Sequence, residues 1–199
     1  LEVLDEVYFT SAFLQQVNGN ALDNRITANN VKGSNIDGGD GNDPLIGLNG
    51  ADTLQGGNGN DTLLGGAGDD SLEGNGGYNV IDGGAGTNRI SMGFYINGGG
   101  VHEVYGGQGT NIITMYGTSQ AIIHVGQHDQ LKYTGEYVTG GAGVVDLRFD
   151  AFNLNEGHIS LEANGDVSIQ FGSSANSSNN SHLTMNRQAI TAIQHIQTR

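Results

Sequence analysis

Between Gly38 and Glu73 an aliphatic residue recurs every nine positions, a spacing that fits neither an α-helix nor an ordinary strand. The four units read Gly-Gly-Asp-Gly-Asn-Asp-Pro-Leu-Ile from Gly38, Gly-Leu-Asn-Gly-Ala-Asp-Thr-Leu-Gln from Gly47, Gly-Gly-Asn-Gly-Asn-Asp-Thr-Leu-Leu from Gly56 and Gly-Gly-Ala-Gly-Asp-Asp-Ser-Leu-Glu from Gly65. Asp holds the sixth place of each (Asp43, Asp52, Asp61, Asp70) and Leu the eighth (Leu45, Leu54, Leu63, Leu72). Glycines at the first, second and fourth places let the backbone take positive φ and turn its carbonyls inward. Residues seven to nine then form a three-residue strand whose middle side chain points into a coil. Two units complete one coil, so stacked residues lie 18 apart: Asp43 on Asp61 and Asp52 on Asp70.

Each stacked pair leaves two carboxylates and several turn carbonyls around a gap without a counter-charge. No Lys or Arg occurs between Lys32 and Arg89, whereas Asp37, Asp40, Asp43, Asp52, Asp61, Asp69, Asp70, Glu73 and Asp82 do. Like charges stacked in register repel, so the coil is expected to need cations to fold. Hard oxygen donors in a flexible cage suit Ca²⁺, while Mg²⁺ and Zn²⁺ take tighter or softer sites. The expected ligands are Asp43, Asp52, Asp61 and Asp70, together with the turn residues Gly38, Asp40, Gly56, Asn58 and Gly65. A solvated Gly-rich acidic linker is the competing reading, and the fixed Leu opposes it, because a linker needs no core residue.

The Gly-Gly-x-Gly-x-Asp-x-(large apolar)-x units resemble those of the RTX (repeats-in-toxin) family, also called haemolysin-type calcium-binding repeats. The preceding Gly19-Asn20-Ala21-Leu22-Asp23-Asn24-Arg25-Ile26-Thr27 resembles the Asn-rich lead-in rungs of that family. The resemblance implies an all-β fold, a right-handed parallel β-roll (β-solenoid) of nonapeptide repeats with a strand-rich C-terminal cap. It also implies several bound Ca²⁺ ions and a secreted or cell-surface protein exported by a type I machinery. Leu48 departs from the pattern by replacing the second Gly of its unit, which puts the turn bearing Asp52 in question.

The count continues beyond the strong block with altered chemistry. The units from Gly74 and Gly83 keep an apolar eighth place (Ile81, Ile90) but carry Asn79 and Asn88 at the sixth, expected as weaker, neutral calcium ligands. Upstream, Asn24 is expected to share a site with Asp43 and Ser34 with Asp52. Five extra residues, Met92 to Ile96, then shift the frame. The nine-step resumes at Asn97, Gly106, Met115 and His124, with Val104, Ile113, Ile122 and Leu131 at the eighth place and His102, Asn111, Gln120 and Asp129 at the sixth. Only Asn111 and Asp129 then make a same-side pair with ligand character. From Tyr133 the pattern becomes that of ordinary strands: Val144–Phe149, His158–Glu162 and Val167–Phe171, with Asn164-Gly165-Asp166 as a hairpin turn. Ser173 to Ser181 reads as a loop and Ala189 to Ile196 as a final strand or short helix. The expected division is a lead-in strand over 1–18, a calcium-binding roll over 19–91, a metal-poor continuation over 92–132 and a β-rich capping subdomain over 133–199.

Composition narrows the functions. Seven basic against 21 acidic residues give a net charge of −14, which disfavours nucleic acid and anionic membrane surfaces. The absence of cysteine removes disulfides and thiol chemistry. Thirty-five Gly against one Pro oppose a collagen or polyproline reading. No apolar run reaches membrane-spanning length and no cleavable signal peptide is visible. Ile193-Gln194-His195-Ile196-Gln197-Thr198-Arg199 does not resemble the C-terminal signal that the type I machinery reads, so the chain is read as a monomeric piece of a larger protein. Two His and an Asp in His124-Val125-Gly126-Gln127-His128-Asp129 are read as surface polar residues, because i and i+4 do not converge in a strand. His102 beside Glu103 lacks a third partner for acid–base work, and Tyr105, Tyr116, Tyr133 and Tyr137 read as half-buried strand residues. No catalytic motif is present. Three roles remain: a calcium-dependent folding module of a secreted bacterial protein, a peptide- or glycan-binding module of a surface adhesin, or a non-catalytic domain of a secreted protease, lipase or epimerase-like enzyme.

Overall fold

The computed structural model describes residues 6–9, 15–28, 31–93, 101–116, 120–124, 130–134, 145–149, 158–161, 167–171, 181–185 and 193–198. They form a two-faced parallel β-solenoid, with no helix among them. One sheet stacks β1 (Glu6–Phe9), β3 (Arg25–Ala28), β5 (Pro44–Ile46), β7 (Thr62–Leu64), β9 (Tyr78–Asp82), β11 (Val101–Tyr105), β13 (Gln120–His124), β15 (Val145–Phe149) and β19 (Ile193–Thr198) in that order. The other runs from β2 (Gln15–Asn20) through β4 (Ser34–Asp40), β6 (Thr53–Asn58), β8 (Ser71–Asn75), β10 (Arg89–Ser91), β12 (Ile112–Tyr116) and β14 (Gln130–Thr134). It ends in β18 (Ser181–Met185), β17 (Val167–Phe171) and β16 (His158–Leu161), where β17 lies antiparallel to both neighbours.

The eighth-place residues make the core. Leu45, Leu63, Ile81 and Val104 from one sheet face Leu54, Leu72, Ile90 and Ile113 from the other, each at most 1% exposed. Burying such a side chain contributes about 2–3 kcal/mol relative to leaving it in water. A three-residue strand cannot supply this alone, so each rung depends on its neighbours. Strand pairing fixes the 18-residue step, with Leu45 on Leu63 and Leu54 on Leu72.

Two details of the register differ from expectation. Gly93 still packs against Asn75, so the five extra residues enter after it, within 94–100, and Met92 is a buried core residue. Ile81 then pairs with Val104 and Ile90 with Ile113. One strand later the frame slips by a residue: Ala121 and Ile123, not Gln120 and Ile122, take the sixth and eighth places opposite His102 and Val104. Ile123 is fully buried and Ile122 only half-buried. Leu131 nevertheless returns opposite Ile113, so the slip is compensated before β14. Asp129 lies outside the described residues.

The β16–β17 pair confirms the expected antiparallel hairpin, although its Asn164-Gly165-Asp166 turn is outside the described residues. Residues 193–198 are strand rather than helix. The strand Ser181–Met185 carried no sequence signal, because its alternation starts from a Ser/Asn-rich run.

Leu48 does not alter its turn. It takes φ 69°, the left-handed conformation that Gly66 and Gly84 take at the equivalent place. Its carbonyl accepts from Ala67 N–H at 2.8 Å, as that of Gly66 accepts from Ala85 N–H at 2.7 Å. A γ-branched residue held there costs about 1–2 kcal/mol relative to glycine. Leu48→Gly should therefore stabilise the roll by about 1 kcal/mol, after the entropy that glycine adds to the unfolded chain. Equilibrium urea unfolding checks this, and a destabilised variant would contradict it.

Candidate metal centre

The sixth-place residues form two buried columns, one behind each line of turns. The first holds Asn24, Asp43, Asp61, Asn79 and His102; the second holds Ser34, Asp52, Asp70, Asn88 and Asn111, and all ten are buried. The four Asp side chains are at most 2% exposed, a rare state for carboxylates without a cation beside them.

One oxygen of each Asp has a structural task. Asn24 N–H donates to Asp43 Oδ1 at 2.7 Å and Asp43 N–H to Asp61 Oδ1 at 2.9 Å. In the second column Ser34 N–H donates to Asp52 Oδ1 at 2.6 Å and Asp52 N–H to Asp70 Oδ1 at 2.8 Å. Each carboxylate thus caps the backbone of the preceding rung, 18 residues earlier or, for Asp43, 19, adding to the backbone bonds that already join the turns.

The second oxygen has none. Asp43, Asp52, Asp61 and Asp70 Oδ2 are buried and lack any hydrogen-bond partner. Each points at the first glycine of its own turn, where the first carbonyl of the next rung also converges. An ideal Cβ on Gly38 would collide with Asp43 Oδ2 and Gly56 O. The same holds at Gly47 (Asp52 Oδ2, Gly65 O), Gly56 (Asp61 Oδ2, Gly74 O) and Gly65 (Asp70 Oδ2, Gly83 O). Four cradles therefore set an unpaired carboxylate oxygen against a carbonyl oxygen. A fifth, at Gly19, is lined by Asn24 Oδ1 and Gly38 O. Oxygen facing oxygen out of contact with water is repulsive unless a cation lies between, and an all-oxygen lining selects a hard ion. No three Asp, Glu or His side chains converge among the described residues, because the carboxylates arrive one per cradle and backbone carbonyls supply the other oxygens.

Burial pushes the Asp52 carboxyl from its ordinary 3.8 up to about 7 and that of Asp61 to about 6, against the lowering effect of the backbone hydrogen bonds each accepts. Asp43 and Asp70 are raised for the same reason, with neighbouring acids such as Asp23 and Asp69 adding to the shift. The sign follows from linkage. A carboxyl raised in the folded, metal-free roll adds stability that is fully present below 3.8 and is lost as pH rises through about 6 to 7. A cation needs the ionised form, so its binding must expel those protons. Calcium affinity should fall as pH drops through this window, and titrations in buffers of different ionisation enthalpy should report proton release near pH 6. A pH-independent affinity between pH 5 and 8 would contradict this.

The other expected ligands divide. Gly38, Gly56 and Gly65 line cradles as stated. Asp40 and Asn58 project from the surface, where Asn58 Nδ2 donates to Asp40 Oδ1 at 2.7 Å, so their side chains are outside the cradles. Ser34 takes the expected place on Asp52, giving its backbone N–H to Oδ1. Asn79 and Asn88 sit in the columns but turn nitrogen, not oxygen, into the turn. Their Oδ1 atoms accept from Asp61 N–H at 2.7 Å and Asp70 N–H at 2.9 Å, which leaves Nδ2 facing Gly74 and Gly83.

His102 and Glu103 lie on opposite faces of β11, so they form no acid–base pair. His102 is fully buried in the first column, and burial lowers its pKa to about 4, keeping the imidazole neutral. Glu103 is on the outer face, where it accepts from Tyr78 Oη at 3.0 Å and Tyr105 Oη at 2.9 Å and meets His124 Nε2 at 3.1 Å. The Tyr105 and His124 rings stack with centroids 4.1 Å apart. The donated hydrogen bond from Tyr105 holds the Glu103 carboxyl below its usual range. This cluster escaped sequence reasoning because its members meet only through the register of β9, β11 and β13. Tyr137, His128 and the side chains of Tyr116 and Tyr133 are outside the described residues.

Buried sixth-place acids stacked at an 18-residue step on a parallel solenoid define a cation-binding β-roll. Residues 37–72 and 64–93 match the family model of the RTX calcium-binding nonapeptide repeat (4 copies), and the chain carries an RTX β-roll module. No curated protein matches the chain.

Proposed function

We propose that this chain is a folding module of a larger secreted bacterial protein, ordered outside the cell when Ca²⁺ enters the cradles at Gly38, Gly47, Gly56 and Gly65, with Gly19 as an outer site. The observation that carries this is the set of four buried Asp Oδ2 atoms without partners, each against a backbone carbonyl. Calcium, when bound, supplies the positive charge that this oxygen lining lacks. The chain's own residues do the rest: Asp43, Asp52, Asp61 and Asp70 cap one rung with Oδ1 and offer Oδ2 to the ion. The repeats themselves are a calcium-binding element without catalytic groups, and the usual setting of such repeats, in secreted bacterial proteins, supports the secreted reading.

Extracellular calcium modules bind at roughly 10⁻⁴ to 10⁻³ M, above cytosolic free calcium, so the roll is expected to stay open until export. Far-ultraviolet circular dichroism should show a gain of β signal when millimolar CaCl₂ replaces EGTA. An unchanged spectrum together with no calcium uptake in titration calorimetry would sink the reading. The Tyr78–Glu103–Tyr105–His124 cluster favours a second role for the metal-poor rungs, as a peptide- or glycan-binding face of an adhesin. A glycan and peptide array probed with the calcium-loaded chain tests it; absence of any specific signal would leave the folding role alone.

A further inference from the structure

We propose that calcium dependence ends at Gly74, because Asn79 and Asn88 place their own amide NH₂ groups where the Asp turns require a cation. This rests on the calcium reading above and assigns which turns obey it.

An Asn and an Asp at the sixth place are nearly the same shape, and both give one oxygen to the rung before. Asp61 and Asp70 N–H donate to Asn79 and Asn88 Oδ1 just as Asp43 N–H donates to Asp61. That bond fixes the amide orientation, so the remaining atom is a donor rather than an acceptor. Asn79 Nδ2 donates to the carbonyl of Gly76, in its own turn, at 3.1 Å. It also lies 3.3 Å from His102 Nδ1. Because the amide nitrogen can only donate, His102 accepts there and carries its proton on Nε2. The Gly74 cradle therefore holds nitrogens, with an ideal Cβ 3.0 Å from Asn79 Nδ2 and 3.1 Å from His102 Nδ1. Among the described residues no side-chain oxygen is among the atoms nearest this position.

The second column ends in the same way. At Gly83 an ideal Cβ would lie 2.5 Å from Gly106 O and 2.8 Å from Asn88 Nδ2. In the four Asp cradles the equivalent carbonyl faces a carboxylate oxygen; here it faces the buried Asn88 Nδ2, which makes no hydrogen bond but, as a donor, does not repel it. The oxygen–oxygen repulsion is absent without any ion. Asn111 Oδ1 continues the ladder by accepting from Asn88 N–H at 3.2 Å. Asn24 shows that the residue type alone does not decide: its Oδ1 accepts from Asn20 N–H at 2.8 Å and faces Gly38 O, leaving an oxygen-lined cradle.

The test compares the full chain with its Asn79→Asp/Asn88→Asp and Asp61→Asn/Asp70→Asn variants, by calcium titration and by hydrogen exchange in EGTA. In EGTA the wild-type strands Tyr78–Asp82, Arg89–Ser91 and Val101–Tyr105 should exchange about 100-fold more slowly than Pro44–Ile46 and Thr62–Leu64. Restoring Asp at 79 and 88 should remove that protection in EGTA, return it with calcium and add an ion per restored carboxylate. The reverse variant, built on a side chain that these turns already accommodate, should bind fewer ions and gain protection in EGTA. Calcium uptake by the wild type with uniformly fast exchange in EGTA overturns this inference and leaves the calcium reading intact, and so does unchanged stoichiometry in both variants. A flat wild-type titration overturns both.

Discussion

Asp61→Ala should cost about 3–4 kcal/mol of stability in millimolar calcium and less than about 1 kcal/mol in EGTA. The asymmetry follows from what the carboxylate touches. Oδ1 is the acceptor for the buried Asp43 N–H, and removing it strands that donor at a cost of about 1–3 kcal/mol. Oδ2 forms one wall of the cradle at Gly56, and losing a site held at ten times its dissociation constant removes about 1.4 kcal/mol more. Without calcium the same substitution also deletes a buried charge set against Gly74 O, which offsets the stranded donor. Asp129→Ala should cost less in calcium, since its expected column partner is the neutral Asn111. Urea unfolding of the wild type and both variants, with and without calcium, measures the four differences. An equal loss for Asp61→Ala in both conditions would mean that the side chain acts only as a cap.

How much of this was readable beforehand depends on whether one residue type meets one environment. Leu at the eighth place and Asp at the sixth were legible because period, size and charge all specify the same inward position. The 18-residue stacking followed directly, and with it every capping partner of Asp43, Asp52, Asp61 and Asp70. The slip at Ile123 was hidden because Ile122 beside it is equally apolar, and only pairing with Val104 chooses between them. The amide orientation of Asn79 and Asn88 was hidden for a related reason. Sequence shows that Asn has an oxygen to offer a metal, but an N–H from the preceding rung already occupies it. The cluster around Glu103 needed the register of three strands, two of them after the inserted residues, before its members could be seen as neighbours.

Gly59→Ala should destabilise the roll by about 3 kcal/mol or more, whether or not calcium is present. Gly59 has φ +129°, a conformation closed to side-chain-bearing residues at a cost of about 1–2 kcal/mol. The larger part of the effect is contact. An added Cβ would land on the carbonyl oxygen of Gly41, one rung below, and a backbone atom cannot rotate away as a side chain would. Gly41 N–H is itself bonded to Asn58 O at 2.9 Å, so separating the two turns also strains that bond. The same separation would pull Asp61 Oδ1 from Asp43 N–H, so calcium affinity should fall although no ligand has been changed. Ala85→Ser at the exposed third place provides the control and should shift stability by less than about 0.5 kcal/mol. Thermal unfolding in EGTA and in calcium separates the two contributions of Gly59. If Gly59→Ala lost stability only in calcium, the close approach of Gly41 would not be what requires glycine there, and a role in the ion's surroundings would have to replace it.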